Sequence, residues 1–301
     1  MAKVLCFGSM NIDYTYKVRH FVKKGETISA DSLRIFSGGR GLNQAIALSR
    51  AGAETCLAGC IGEDGLFLLK ELEAAGVDTG YVRVLGDVRT GSAVIQNDAE
   101  GDNCIILYGG ANRAVTREQA DTVLAGFQSG DCLVLQNEIN EIPYIIRRAH
   151  ERGMRVVLNP SPMEVSVLDF PLEYVDCFML NRVESAQLLG IENEPRAAEA
   201  ELMAALGEKF PAAEIILTLG EEGSAYIGCG ETVRQRPYHI KTVDTTAAGD
   251  TFTGFFIGGR MRGLSVSEAM DLASKAAALS VTKPGASPSI PTLAEVTEYF
   301  S

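Results

Sequence analysis

Apolar positions along the chain fall into two textures: short unbroken runs, and longer stretches with helical spacing. "KVLCFGS" (3–9) is a short apolar run closed by glycine and reads as a buried strand. "GLNQAIALSRAG" (41–52) places apolar residues on one helical face and stops at Gly52. "TCLAGCIG" (55–62) reads as strand and "GLFLLKELEAAG" (65–76) as helix. Past residue 115 the alternation is regular: helix "TREQADTVLAGF", strand "DCLVLQ", helix "EIPYIIRRAHERG", strand "RVVLN". Strand "DCFML", helix "RVESAQLLG" and strand "EIILTLG" follow, then a hairpin "GSAYIGCGETVRQRPY" and three C-terminal helices. Such alternation implies βαβ units, a mostly parallel central sheet and helices on both faces, a three-layer α/β/α sandwich.

Two segments break this rhythm. Residues 81–108, "YVRVLGDVRTGSAVIQNDAEGDNCIILY", are rich in Val, Ile and Tyr and interrupted by turn residues. They predict short antiparallel strands with a hairpin at "NDAEGDN". Residues 14–39 have the same character. The expectation is a single α/β domain over 1–301, with these two insertions pairing as a small separate β-sheet.

Composition narrows the function classes. The chain has 301 residues, 46% hydrophobic and 22% charged, enough for a large core without disulfides or metal staples. Asp and Glu outnumber Lys and Arg by 39 to 27, for a net charge of −12. Such a surface repels nucleic acid and anionic lipid. Seven cysteines, an odd number without a CxxC pair, read as buried thiols of a reducing compartment. Cys56 and Cys60 lack a second pair or a nearby His and make a poor metal site. No apolar run is long enough to span a bilayer and no secretory leader is evident, so a cytoplasmic location is expected.

Several chemistries lack their signatures. There is no Gly-Lys dipeptide for a P-loop, no GxGxxG after the first strand, no GxSxG and no HExxH. His20, His150 and His239 do not cluster in sequence. Four other stretches are richer. "SGGRGLNQA" (37–45) puts adjacent glycines before a helix, with Asn43 in its first turn; it suits a tight turn or close approach of amides to a hydroxylated ligand. "GSMNIDY" (8–14) ends the first strand with Asn11 and Asp13, where an open parallel sheet meets its ligands. "MLNRVESAQLLG" (179–190) sets Asn181 three residues before Glu184, a helix capping box or a pair holding Mg²⁺ near phosphates. "DTTAAGDTFTGFF" (244–256) offers the amides of Ala247, Ala248 and Gly249 at a helix start, with Asp250 among them. Asp250 suits either a first-turn acid favoured by the helix dipole or a base beside an anion hole.

Together these stretches resemble the ribokinase-like (PfkB) carbohydrate kinases over almost the whole chain. "GGRGLNQA" is similar to the family's first signature GGKGANQA, and "DTTAAGDTFTGFF" to the second, DTxxAGDxFxG. "LNRVE" resembles its Asn-x-x-Glu motif and "VTKPGASPSIP" its C-terminal loop. The resemblance implies transfer of the ATP γ-phosphate to a sugar hydroxyl, the 5-hydroxyl of D-ribose foremost, with another sugar or a nucleoside as the alternative. It implies Asp250 as base, Ala247 to Gly249 as anion hole, and sugar contacts from Asn11, Asp13, Gly39, Arg40, Asn43 and Glu138. Asn181, Glu184, Thr218, Gly220 and Gly249 match nucleotide and Mg²⁺ positions. Asp244, Thr246, Ser280, Lys283, Gly285 and Ser289 match an activating K⁺ site, several through backbone carbonyls. The two β insertions correspond to a lid that covers the sugar and joins two copies as a homodimer. Arg40 and Leu42 depart from the family's usual Lys and Ala.

Overall fold

The computed structural model describes residues 2–100, 102–191 and 198–301. β1 (Val4–Phe7) is buried along its whole length because it is covered on every side. β4 (Thr55–Gly62) and β8 (Cys132–Gln136) pair with it in parallel along its two edges. Its side chains alternate between two cores: Leu5 and Phe7 enter one, Val4 and Cys6 the other.

The large sheet runs in the order β13 (Glu231–Gln235), β12 (Ser224–Gly228), β11 (Glu214–Thr218), β10 (Cys177–Asn181), β9 (Arg155–Asn159), β8, β1, β4 and β5 (Asp78–Leu85). β5 through β11 are parallel; the β12–β13 hairpin joins antiparallel at one edge. One face carries α3 (Arg117–Leu124), α4 (Ile142–Glu151), α5 (Arg182–Leu189) and α6 (Glu199–Lys209). The other carries α1 (Arg40–Arg50), α2 (Leu66–Ala74), α7 (Ala248–Met261), α8 (Val266–Ser280) and α9 (Leu293–Tyr299). This is the three-layer sandwich the alternation predicts.

A second, four-stranded sheet has the order β3 (Ser32–Gly38), β2 (Asn11–Lys17), β6 (Gly91–Asn97) and β7 (Asn103–Tyr108). β2–β3 and β6–β7 are antiparallel, while β2 and β6 run parallel. The predicted hairpin joins β6 to β7; its Gly101 lies outside the described residues. Only three residues, Gly8 to Met10, separate β1 in one sheet from β2 in the other.

The structure corrects the sequence reading in two places. The insertion at 81–108 is not all small sheet: β5 pairs in parallel with β4 at the edge of the large one. Its Tyr81 and Leu85 pack on one core and Val82 on the other, so alternating apolar residues dock it there. Helix α6, between α5 and β11, has no counterpart in the sequence reading; Leu202, Met203 and Leu206 bury its inner face.

Helices α1 and α7 cross closely because α7 has glycine where α1 approaches. A Cβ on Gly254 would lie 2.3 Å from the Ala47 Cβ and 2.7 Å from the Leu48 amide nitrogen. One on Gly258 would lie 2.7 Å from the Ala51 Cβ. At Gly249, in the first turn of the same helix, an added Cβ meets nothing within 4 Å. Helix propensity favours Ala over Gly at both places by up to about 1 kcal/mol. At Gly254 the clash is with backbone and outweighs that gain. We predict that Gly254→Ala lowers stability by about 1–3 kcal/mol, whereas Gly249→Ala does not lower it. Denaturant midpoints of the two variants check this, and equal midpoints would refute the close crossing.

Candidate functional site

The carboxyl ends of the parallel strands converge with the amino ends of α1 and α7, the usual place for a ligand in an open α/β sheet. Gly39 precedes α1 with φ of 90°, a backbone angle that glycine adopts without strain. The turn brings Leu42 N–H to the Ser9 carbonyl (2.9 Å) and Gly41 N–H to the Ser9 hydroxyl (3.3 Å). The glycine pair thus seats α1 on the end of β1.

Glu138 sits just past β8. Its Oε2 accepts the Arg40 amide N–H (3.0 Å) and the Ser9 hydroxyl. Its Oε1 lies 3.8 Å from the Arg40 guanidinium, which also reaches within 3.9 Å of Asp250 Oδ1. Arg40 is about one-third exposed, so its charge is partly screened by water. Asp13, on β2, is raised to about 7: burial pushes its carboxyl up, and the Glu138 charge adds to that. Asn11 is buried beside it, and its Oδ1 accepts Asn112 Nδ2 at 2.7 Å.

Asp250 occupies the first turn of α7 and is 5% exposed. Asn43 Nδ2 donates to its Oδ2 (3.1 Å) and Gln44 Nε2 to its Oδ1 (2.9 Å). Burial raises its carboxyl above the usual range; Arg40, Gln44 and Asn43 oppose this, and Glu138 reinforces it. Ala247 caps the helix in the left-handed region, φ 61°, uncommon for a residue with a Cβ. Ala248 N–H is engaged by the Thr245 carbonyl at 3.2 Å. Gly249 and Asp250 keep the unpaired amides of a helix start, an anion-binding feature.

A cleft of about 60 Å³ opens beside this helix end, lined by Arg40, Asn159, Asn181, Glu184, Thr218, Gly249 and Thr253 among others. Asn181 and Glu184 form a complete capping box on α5: Asn181 Oδ1 accepts Glu184 N–H (2.8 Å) and Glu184 Oε2 accepts Asn181 N–H (2.9 Å). The cap and the cleft coexist, since no hydrogen bond among the described residues holds Glu184 Oε1. Thr218 ends β11, its hydroxyl on the Leu180 carbonyl, and Gly220 starts the following turn outside the cleft lining.

Asp244 ties two loops together. Its Oδ1 accepts the Thr246 N–H and hydroxyl (2.9 and 2.6 Å), and its Oδ2 accepts Gly285 N–H (2.9 Å). Burial would raise its carboxyl, but these bonds outweigh burial and hold it below the usual range. The Ser280 and Ser289 hydroxyls donate to the Ala277 and Ala286 carbonyls, and Lys283 Nζ lies 3.2 Å from Glu295. The two hydroxyls are therefore turned to their own segments, and Lys283 reaches across to α9.

The structure thus groups Asn11, Asp13, Gly39, Arg40, Asn43 and Glu138 around Asp250, and Arg40, Asn181, Glu184, Thr218 and Gly249 line the adjoining cleft. Sequence reading missed Ser9, Gln44, Asn112, Gln136 and Asn159, all buried polar residues with partners here. Gln136 was discoverable as a polar residue closing an apolar run, whereas Gln44, next to Asn43, carried no such signal.

Residues 1–293 match the sequence profile of the pfkB family carbohydrate kinases. The chain is 35% identical to the ribokinase of Staphylococcus aureus (strain COL) over 306 residues, covering 98% of this chain and 99% of that protein. Among solved structures it is similar to the ribokinase of Cryptococcus neoformans var. grubii serotype A in complex with ADP, at TM-score 0.87 and 34% identity over 99% of both chains. It is also similar to the Arabidopsis thaliana ribokinase complexed with ribose and ATP, at TM-score 0.86 and 29% identity over 99% of this chain and 98% of that one. The profile match over residues 1–293 and the 35% identity over nearly the whole of both chains show that the chain belongs to the pfkB family of carbohydrate kinases.

Proposed function

We propose that this chain transfers the γ-phosphate of ATP to the 5-hydroxyl of D-ribose. The carrying observation is Asp250 itself, 5% exposed in the first turn of α7, held by Asn43 and Gln44 and faced by Arg40 beside the cleft. The ribokinases to which the chain is similar support the sugar and the phosphate donor.

In this reading Asn11, Asp13, Asn43 and Glu138 hold the sugar hydroxyls, and the Gly39–Arg40 backbone packs against the ring. Asp250 accepts the proton of the 5-hydroxyl as its oxygen attacks the γ-phosphorus in line. The bond from phosphorus to the β,γ-bridging oxygen breaks, ADP leaves, and the proton stays on Asp250 until water removes it. The Gly249 and Asp250 amides receive the charge on the moving phosphoryl group, with the α7 dipole behind them. Arg40, facing both acids and the cleft, offsets the repulsion between a phosphate and Glu138 or Asp250.

Glu184 Oε1 fits a hydrated Mg²⁺, which would neutralise charge on the ATP phosphates. The donors at Asp244, Thr246 and the neighbouring carbonyls are all oxygens, which suits K⁺. Such an ion would act by fixing the loop beside the anion hole. The small sheet, including Asp13, would cover the sugar and exclude water. Its apolar residues remain open on β3 and β7, with Ile106 62% and Tyr108 57% exposed. A second copy of this sheet is the occupant that fits them, giving a homodimer.

Four outcomes are expected. Across pentoses, hexoses and nucleosides, D-ribose gives the highest kcat/KM, higher in K⁺ than in choline buffer; preference for a nucleoside or deoxyribose would displace the ribose reading. Asp250→Asn keeps sugar binding by calorimetry but loses at least about 100-fold in kcat; near-normal turnover would refute the base. Because the Asp13 carboxyl is raised to about 7, its ionised form is lost as pH falls through that value. KM for the sugar should therefore rise below about pH 7, and Asp13→Asn should flatten that dependence. Finally, Ile106→Lys should convert a dimer to a monomer in sedimentation velocity; a wild-type monomer would rule the dimer out.

A further inference from the structure

Gln44 on α1 and Gln136 at the end of β8 are both 0% exposed. Buried amides demand partners, and the NH₂ groups of both find them in one chain that ends at Asp250, while Gln136 Oε1 is left without one among the described residues. Gln136 Nε2 donates to Gln44 Oε1 at 2.7 Å. Gln44 Nε2 donates to Asp250 Oδ1 at 2.9 Å and to Asn159 Oδ1 at 3.3 Å. Asn159 Nδ2 donates to the Met179 carbonyl at 2.7 Å.

The direction of this chain is forced from both ends. An ionised carboxylate only accepts, so Gln44 must turn its NH₂ to Asp250 and leave its carbonyl for a donor. Gln136 is that donor. At the far end a main-chain carbonyl only accepts, so Asn159 must offer its own carbonyl to Gln44. Each amide therefore has one sensible orientation, and that orientation favours the ionised form of Asp250.

We propose that Gln44, locked by Gln136, is a positioning residue for phosphoryl transfer, which pins Oδ1 of Asp250 while Asn43 holds one side of Oδ2, so that the base meets the sugar hydroxyl through the lone pair left on Oδ2. The proposal rests on the reading of Asp250 as base. Neither glutamine reaches the cleft or the solvent, so each acts through Asp250 rather than on substrate. The remaining groups that face Asp250 are Asn43 and Arg40 on α1, which favour its ionisation, Asn43 by donating to Oδ2 at 3.1 Å, Glu138 beyond β8, which opposes it, and Cys6 on β1. None of them replaces the hydrogen bond Gln44 makes.

The test uses the full-length near-isosteric variants Gln44→Met and Gln136→Met, beside Asp250→Asn. Steady-state kinetics, the pH profile of kcat/KM and thermal melting are measured for each. Gln44→Met is expected to lose about 10–100-fold in kcat with KM for the sugar changed less than about 3-fold. Its acidic limb should move to higher pH, because burial of Asp250 is then less opposed. Gln136→Met should change both quantities in the same direction by less. Should one variant fail to fold, the other carries the test. Folded variants with wild-type kcat and an unmoved acidic limb, whatever their melting temperature, would overturn the positioning role. Turnover surviving in Asp250→Asn would instead remove the base, which keeps the two failures apart.

Discussion

The close crossing of α1 and α7 is the constraint on which the rest depends. Asn43 and Gln44 come from one helix and Asp250 from the other, 206 or 207 residues away along the chain. Hydrogen bonds of 2.9 and 3.1 Å between side chains of such different length require the helix axes to be near and fixed in register. Glycine at 254 and 258, facing alanine at 47 and 51, permits that approach. Packing here is positional information: a methyl group between the helices would widen every distance at the site.

Given that register, electrostatics concentrates at one spot. Asp13, Glu138 and Asp250 sit close enough for Glu138 to raise the carboxyls of both others. Arg40 is the cation that faces Glu138 and Asp250, and its guanidinium keeps about one-third of its surface in water. One buried and two partly buried acids beside a single half-open cation are an expensive arrangement for stability alone. It is understandable where a hydroxyl must be bound and a phosphate admitted. The glycine turn ahead of α1 supplies part of the compensation by aiming the Arg40 amide at Glu138.

Much of this was legible in the sequence, and the reasons for the exceptions are specific. The buried strands were readable because both faces are covered, which demands unbroken apolar runs such as 4–7 and 132–135. β5 was misplaced because an edge strand of the large sheet and a strand of the small one share the same Val- and Tyr-rich texture. Only its packing on both cores distinguishes it. Asn181 and Glu184 illustrate a different limit. Their spacing satisfied a cap and a ligand site equally, and the structure shows a cap that also lines the cleft. Gln44 stood beside Asn43 in a quoted motif but reads as an ordinary helix residue until the fold brings Gln136 and Asp250 to it.

The short connection from β1 to β2 gives the small sheet a mechanical meaning within the proposed function. Three residues are too few for the two sheets to move independently at that point. Met10 N–H donates to Asn112 Oδ1 at 3.0 Å, and Asn112 Nδ2 in turn holds Asn11. The same strand that begins here carries Asp13 four registers from the open end of the sheet at Lys17. In the proposed closure the small sheet would turn near Asn11, and Asp13, two residues along β2, would move through a smaller arc than Lys17 at the far end of the strand. On β7, Tyr108 pairs through Ser92 with Ile12 beside that axis, whereas Asn103 pairs with Asn97 at the far end. A second copy seated along β7 would then touch both the fixed and the moving ends of the sheet, which would link the proposed pairing of copies to closure over the sugar.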